Sequence, residues 1–351
     1  MTCSIQAPFE SVEKTDLPVV AITMSRDDFA DLLKSSYTKL RFPAEAQWND
    51  TLYKAEIQLH GNVTVRYPKK SFDINLYKVV IGPDPYYSMT LSSQLTDLTF
   101  SRYRIASTLF RKAGFYCSGL QPVRLFFNNR YEGVYLMVEP VNEHFLQRRG
   151  LPVTSLYKAN VGARLDYRDR VLPQQSFDKK VPEGDLSNTD LQTLIEIADK
   201  GITEETRPSL ESILDITNAL DYYAIARLIN HSDGVRNNFF LYYNPLIHKF
   251  QFIPWDLTST FFGTPFPHFS NGLFEQLERI TSYKLYMHDR MRELFSPDSL
   301  NASLDTFFAQ IHSAIREDPY MSRPDDIYLY ETGAIREYIA RTDSILKQDV
   351  F

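Results

Sequence analysis

The sequence predicts an α+β chain with a sheet-rich N-terminal part and a helix-rich C-terminal part. Apolar and polar residues alternate at strand period through the first ~140 residues, and apolar residues recur at helical period through most of the remainder. Aromatics are plentiful, with 24 Phe, 22 Tyr and 2 Trp, and such side chains favour thick strand-rich layers. The 351 residues are 43% hydrophobic and 23% charged, enough for a full core without a disulfide or metal staple.

The elements follow in chain order. Residues 1–18 are polar and without period, and read as an N-terminal arm. Val19-Val20-Ala21-Ile22 is a short buried strand. Ser25 then caps a helix, with Asp28 in the reciprocal capping position. Residues 52–59 alternate, with Tyr53, Ala55, Ile57 and Leu59 on one face and Lys54, Glu56 and Gln58 on the other. Residues 70–77 alternate again through Phe72, Ile74 and Leu76. Ser101 caps a helix to about Ala113, which Gly114 stops in the left-handed conformation. Strands 121–127 and 133–139 flank Asn128-Asn129-Arg130 as a hairpin. A short helix from Val141 to Arg149 ends at Gly150.

Beyond this point the character changes. Residues 160–186 are charged and irregular. Helical patterns cover roughly 187–200, 209–231, 281–296, 298–316 and 333–348, interrupted by one strand pair, Asn238–Tyr243 and Lys249–Ile253. These are the proportions of a two-lobed kinase-like fold, and other α+β arrangements share them. The domain reading is an arm (1–18), a nucleotide-covering N-lobe (19–140) and a C-lobe with catalytic loop and metal site (141–351).

Charge and cysteine content exclude several classes. A formal charge of −6 argues against a general grip on nucleic acid or anionic lipid. The two cysteines, Cys3 and Cys117, have no metal-ligand spacing, and the seven His residues form no H-E-x-x-H. No apolar run approaches the ~18 residues of a membrane span, and no signal peptide is visible. The localisation reading is cytoplasmic, although removal of an export signal would leave the same picture.

The chemistry centres on His231-Ser232-Asp233-Gly234-Val235-Arg236-Asn237-Asn238, which follows a strongly apolar helix and runs into a strand. The spacing is H-x-D-x-x-x-x-N. In kinase-type phosphotransferases the Asp orients or deprotonates the attacking hydroxyl, and the Asn ligates Mg2+. Phe250-Gln251-Phe252-Ile253-Pro254-Trp255-Asp256 adds an apolar strand ending in Asp, where such enzymes place the main Mg2+ ligand. A hairpin would bring Asn238 and Asp256 to one end. Taken singly, Asp233 or Asp256 is more simply a turn or helix cap. Their order, spacing and intervening hairpin together favour the catalytic reading.

These residues, with four further segments, resemble the CotH family of atypical, spore-coat-type protein kinases. The segments are His60-Gly61-Asn62-Val63-Thr64, Pro68-Lys69-Lys70-Ser71-Phe72, Arg102-Tyr103-Arg104-Ile105-Ala106 and Tyr131–Glu139; with the two above they span about residues 19–263. The resemblance implies a two-lobed protein-kinase-like fold. It also implies ATP with Mg2+ (or Mn2+ in its place) and phosphate transfer to Ser or Thr of a protein. No nucleic-acid partner is expected, and the oligomeric state is open.

By matching position, Asp233 takes the base role and Asn238 and Asp256 the metal roles. Lys70 is the candidate phosphate-binding lysine, because it shares strand parity with Phe72, Ile74 and Leu76, whereas Lys69 would point away. The loop at Gly61 and Asn62 would lie over the phosphates. Glu139 to Val141 would offer backbone groups to adenine. Arg102 and Arg104 would pair with a carboxylate or phosphate, or form a solvated face. One departure stands out: family members commonly carry a second acid two positions after the Asp of P-W-D, and here that position is Thr258. The alternatives are therefore a catalytically inactive binding or assembly protein, or a small-molecule kinase of the aminoglycoside or choline type.

Overall fold

The computed structural model describes residues 17–35, 38–48, 51–61, 64–77, 88–166, 176–185, 187–269 and 272–348. The chain divides into two compact units. The first holds residues up to Phe100 together with Gly119–Pro140 and Asp305–Glu331. The second holds Ser101–Ser118, Val141–Leu304 and Thr332 onward.

Among the described residues of the first unit, seven strands close into a barrel in the order β1-β2-β3-β4-β5-β7-β6. They are β1 (Val19–Thr23), β2 (Phe42–Trp48), β3 (Thr51–His60), β4 (Ser71–Leu76), β5 (Ser88–Ser92), β6 (Leu120–Phe127) and β7 (Arg130–Val138). Neighbours are antiparallel except β1 with β6, whose parallel pairing of Val19 to Arg124 through Ile22 to Phe127 closes the ring. A sheet-rich unit was expected; its closure was not. Alternation predicts the interior correctly. Tyr53, Ala55, Ile57 and Leu59 of β3 and Phe72, Ile74 and Leu76 of β4 join Val20, Ile22 and Leu125 in one core.

Helix α1 (Arg26–Lys34) begins as the sequence predicts. Ser25 Oγ accepts the Asp28 N–H at 3.0 Å and donates to the Asp28 carboxylate at 2.7 Å. The β6–β7 hairpin turns through Asn128 and Asn129, both at positive φ, as a tight primed turn requires.

Strands β6 and β7 are buried on both faces, so their sequences run apolar rather than alternating. Val134 packs with Phe307, Ile311, Ala314, Ile315 and Tyr328, contributed by the C-terminal segment of this unit. That segment also delivers Asp318, fully buried, whose Oδ2 accepts from Lys69 Nζ at 2.6 Å and from the Val134 N–H at 2.8 Å. Lys69 also donates to the Val134 carbonyl at 2.7 Å and sits over the rings of Phe100 and Tyr135. Burial lowers its pKa, against the pull of Asp318. Gly133 leaves room for the pair, since a Cβ there would fall 2.3 Å from Asp318 Oδ2. Lys69, expected to point away from the cleft, is thus buried against Asp318. β4 starts only at Ser71, so strand parity does not reach back to either lysine.

The second unit is built round α6 (Ile216–Leu228), which is buried on every side from Ala219 to Leu228. A four-stranded antiparallel sheet of order β11-β10-β8-β9 packs on it, from β8 (Leu156–Ala159), β9 (Phe177–Val181), β10 (Phe239–Asn244) and β11 (Lys249–Pro254). Only the β10–β11 pair was read from sequence. The expected helix over 209–231 is two, α5 (Arg207–Ile213) and α6, because Leu214 is extended and Asp215 caps α6 by accepting from Asn218 N–H. Helices α2 (Arg102–Lys112), α3 (Glu143–Arg148), α4 (Thr189–Asp199), α7 (Gly272–Leu277), α8 (Thr281–Leu294), α9 (Pro297–Ile315) and α10 (Pro324–Gln348) complete the list among the described residues; α9 and α10 contribute to both units.

Much of the aromatic content gathers here rather than in the barrel. Tyr222 packs on Phe252 at 4.9 Å and Tyr223 stacks on Phe274 at 4.7 Å between ring centres. Among the described residues, no helix is long and apolar enough to cross a membrane.

The Lys69–Asp318 pair yields a stability prediction. Asp318→Ala leaves a buried ammonium without its anion and should cost about 3–5 kcal/mol in urea unfolding. Adding Lys69→Met should recover much of the loss. Equal stability of wild type and Asp318→Ala would show that the pair does not hold the C-terminal segment on the barrel.

Candidate active site

Asp233, Asn238 and Asp256 all belong to the second unit, and one hairpin sets their spacing. The chain leaves α6, turns through a 3-10 segment at Asp233–Val235 and enters β10 at Phe239. The Asp233 carbonyl accepts from the N–H groups of Arg236, Asn237 and Asn238 at 2.9–3.2 Å, which coils the loop tightly. β10 and β11 pair Phe239 with Pro254, and the Trp255 N–H donates to the Asn238 carbonyl at 3.2 Å. The two expected metal ligands therefore flank the last rung of the ladder. Asn238 is buried, and its carboxamide makes no hydrogen bond to another described residue.

Asp256 adopts φ +50, a left-handed conformation uncommon outside glycine and typical of functional turns. Three contacts hold it there. The Tyr103 hydroxyl accepts the Asp256 N–H at 3.2 Å. The Thr258 hydroxyl donates to Asp256 Oδ1 at 2.7 Å. Arg102, buried in α2, donates to the carbonyls of Thr260 and Phe261, fixing the chain just beyond. Tyr103 as a support for Asp256 was not read from sequence. Its signal lies in the Arg102-Tyr103-Arg104 segment, where the two charges are the more conspicuous feature. Arg102 is spent on backbone carbonyls.

The electrostatics bind the group together. Partial burial raises the Asp233 pKa first and the nearby Asp256 charge raises it further, while Arg236 opposes both. The Tyr103 hydroxyl is pushed up by burial and by the same Asp256 charge. His231 is fully buried, and neither ring nitrogen has a hydrogen-bond partner in good geometry. Burial lowers its pKa to about 4, although Asp256 and the nearby Ser259 backbone favour the charged form. The ring therefore acts as a neutral wedge under the loop. Gly234 is required by that wedge, since a Cβ there would fall 1.9 Å from His231 Cδ2.

The donor set suits a hard divalent cation. Asp256 and Asn238 offer oxygen ligands, and two carboxylates that repel each other are relieved by positive charge between them. Mg2+ takes few protein ligands when phosphate oxygens and water complete its shell, so one Asp and one Asn are chemically sufficient. Among the described residues no cluster of three or more His, Cys, Asp or Glu stands ready as a self-sufficient metal cage.

Lys70 and Gly61 belong to the first unit. Lys70 Nζ donates to the Val65 carbonyl at 2.7 Å, and partial burial lowers its pKa. Gly61 takes φ +94 beside Thr64, whereas Asn62 lies outside the described residues. Glu139, at the end of β7, accepts the Gly119 N–H at 2.8 Å through its carboxylate. The division between units falls at Pro140 and Val141, and Val141 is buried.

Two outcomes are expected. His231 has a folded pKa of about 4 against an ordinary 6.5, so the unfolded chain binds its proton first as pH falls. Stability from keeping it neutral is full above pH 6.5 and is lost between pH 6.5 and about 4, to the extent of about 3 kcal/mol. Unfolding in chelator should show this slope in wild type, and His231→Phe should flatten it. Gly234→Ala should destabilise by about 1–3 kcal/mol and displace the loop. Unaltered stability and unaltered nucleotide affinity would remove the wedge argument.

With this geometry in view, comparison with known proteins gives the following. The inner spore coat protein H of Bacillus subtilis is 21% identical over 360 residues, spanning 95% of this chain and 98% of that protein. The crystal structure of a Helicobacter pylori proinflammatory kinase, CtkA, superposes with a TM-score of 0.38 at 12% identity, covering 80% of this chain and 95% of that one. The family model described as CotH kinase protein matches residues 57–344, and the chain belongs to that family.

Proposed function

We propose that this chain is an ATP- and Mg2+-dependent phosphotransferase that phosphorylates Ser or Thr of a protein substrate. The observation that carries the reading is the convergence of Asp233, Asn238 and Asp256 at one end of the β10–β11 hairpin, close enough that the Asp256 charge raises the Asp233 pKa. Membership of the CotH kinase family supports kinase chemistry. The two compact units are, in this proposal, the lobes of a protein-kinase-like fold.

Each residue then has a part. Asp256, aided by Asn238, would hold the divalent ion that neutralises the nucleotide's phosphates. Thr258 and Tyr103 fix the Asp256 carboxylate and backbone respectively, so that little reorganisation is needed on binding. Asp233 sits in a turn whose backbone is closed by its own carbonyl, leaving the side chain exposed to an incoming hydroxyl. Its raised pKa favours accepting that hydroxyl's proton as the phosphorus–oxygen bond forms. His231 stays neutral and supports the loop from beneath. Lys70, Gly61, Asn62, Glu139 and Val141 carry the nucleotide-contacting roles.

A second reading, a catalytically inactive binding protein, draws on Thr258. Its hydroxyl engages one Asp256 oxygen and supplies no second carboxylate to the ion.

The test separates binding from transfer. Asp256→Ala should abolish Mg2+-dependent ATP binding in calorimetry, while Asp233→Asn should keep binding and slow radiolabel transfer by ~10²-fold or more. Lys70→Met should weaken ATP binding. Full transfer by Asp233→Asn would end the catalytic assignment. ATP binding without transfer by wild type would favour the inactive reading.

A further inference from the structure

Protein kinases hold two Mg2+ ions with one Asp and one Asn. A single carboxylate serves two ions by giving an oxygen to each. In Asp256 one of those oxygens is already taken. The Thr258 hydroxyl donates to Oδ1 at 2.7 Å from two residues further along the same turn. Among the described residues nothing else hydrogen-bonds the Asp256 side chain, so Oδ2 is left open.

Donor and acceptor are both carried on a fixed stretch of backbone. Asp256 is held at φ +50, with its N–H on the Tyr103 hydroxyl. The Thr260 hydroxyl donates to the Leu257 carbonyl at 2.9 Å, and Arg102 donates to the carbonyls of Thr260 and Phe261. The carboxylate therefore has little freedom to turn and share both oxygens. A hydrogen bond to an ionised acceptor is among the stronger kinds. The hydroxyl hydrogen also sets partial positive charge against Oδ1, where a second cation would have to sit.

No other acid takes over that oxygen's part. Among the described residues no group of three or more His, Cys, Asp or Glu is placed to hold an ion. Asn238, on the far side of the last β10–β11 rung, adds a neutral oxygen and no charge. Building on the phosphotransferase reading, we propose that the site holds a single divalent ion, on Asp256 Oδ2 and Asn238, and that Thr258 is the residue that excludes a second. An Asp at this position, common in the family, would remove the hydroxyl donor and add a carboxylate. Thr258 then changes the number of ions and not the capacity to bind nucleotide.

Mn2+ is a suitable probe, because electron paramagnetic resonance distinguishes free from bound ion. The equimolar complex of the full chain with a non-hydrolysable ATP analogue is titrated with Mn2+. Wild type and Thr258→Ser should bind one ion per complex. Thr258→Val, which frees Oδ1 without adding charge, should admit a second. Thr258→Asp should bind that second ion at least tenfold more tightly than Thr258→Val does. Two ions in wild type would overturn the proposal and leave the kinase reading standing. One ion in Thr258→Val would overturn the role given to the hydroxyl. The kinase reading fails by a different result, no Mn2+-dependent binding of the analogue to wild type in calorimetry.

Discussion

The register of one hairpin carries the candidate site. Pairing Phe239 with Pro254 leaves Asn238 one residue before the ladder and Trp255 one residue after it, and the Trp255 N–H closes the gap to the Asn238 carbonyl. A slip of one residue would turn each flanking side chain to the opposite face. The hairpin is therefore tied down at several points. The Asn218 carboxamide accepts the Phe252 N–H at 2.6 Å, the Asp215 N–H donates to the Phe250 carbonyl, and Gln251 donates to the Asp215 carboxylate. These bonds join β11 to the start of α6, whose other end leads into His231. One helix thus fixes the hairpin at its beginning and the Asp233 loop at its end.

The same logic explains what the sequence showed and what it hid. Local periodicity and turn chemistry were legible. Ser25 with Asp28, the β3 and β4 faces, the Asn128-Asn129 turn and the H-x-D-x-x-x-x-N spacing all depend on residues a few positions apart. Closure of the barrel was not, because it rests on β1 meeting β6 some hundred residues later, and no local pattern encodes a partner. β2 was missed although Phe42, Ala44, Ala46 and Trp48 do alternate. Two of the four are alanines, too small to stand out. β9 was hidden in a charged stretch, where only Phe177 and Val181 of its five residues are buried.

The lysine pair marks a further limit. Parity singled out Lys70 as the lysine facing the cleft, but the strand begins only at Ser71, and tertiary structure buries Lys69 on a carboxylate 249 residues away. The Gly133 of Tyr131–Glu139 belongs to the same arrangement, since it clears space for Asp318. A motif residue singled out by sequence can thus serve packing rather than chemistry. Only the long-range partner tells the two apart.

The candidate site itself is a problem in charge. Two carboxylates lie near each other, a neutral buried imidazole lies beneath them, and the tyrosine hydroxyl against Asp256 N–H is too buried to ionise readily. Such a site holds uncompensated negative charge on one side of a rigid loop, which costs free energy unless something positive binds there. The Thr258 hydroxyl at Asp256 and the Arg236 charge near Asp233 soften the cost only in part. The left-handed backbone at Asp256 points the same way, because strain of that kind persists only where surrounding bonds over-determine it. Arg102, Tyr103 and Thr258 are those bonds. That so many contacts hold one carboxylate in an unfavourable conformation beside another is the physical basis for reading the loop as a site made to meet a cation and its phosphate ligand.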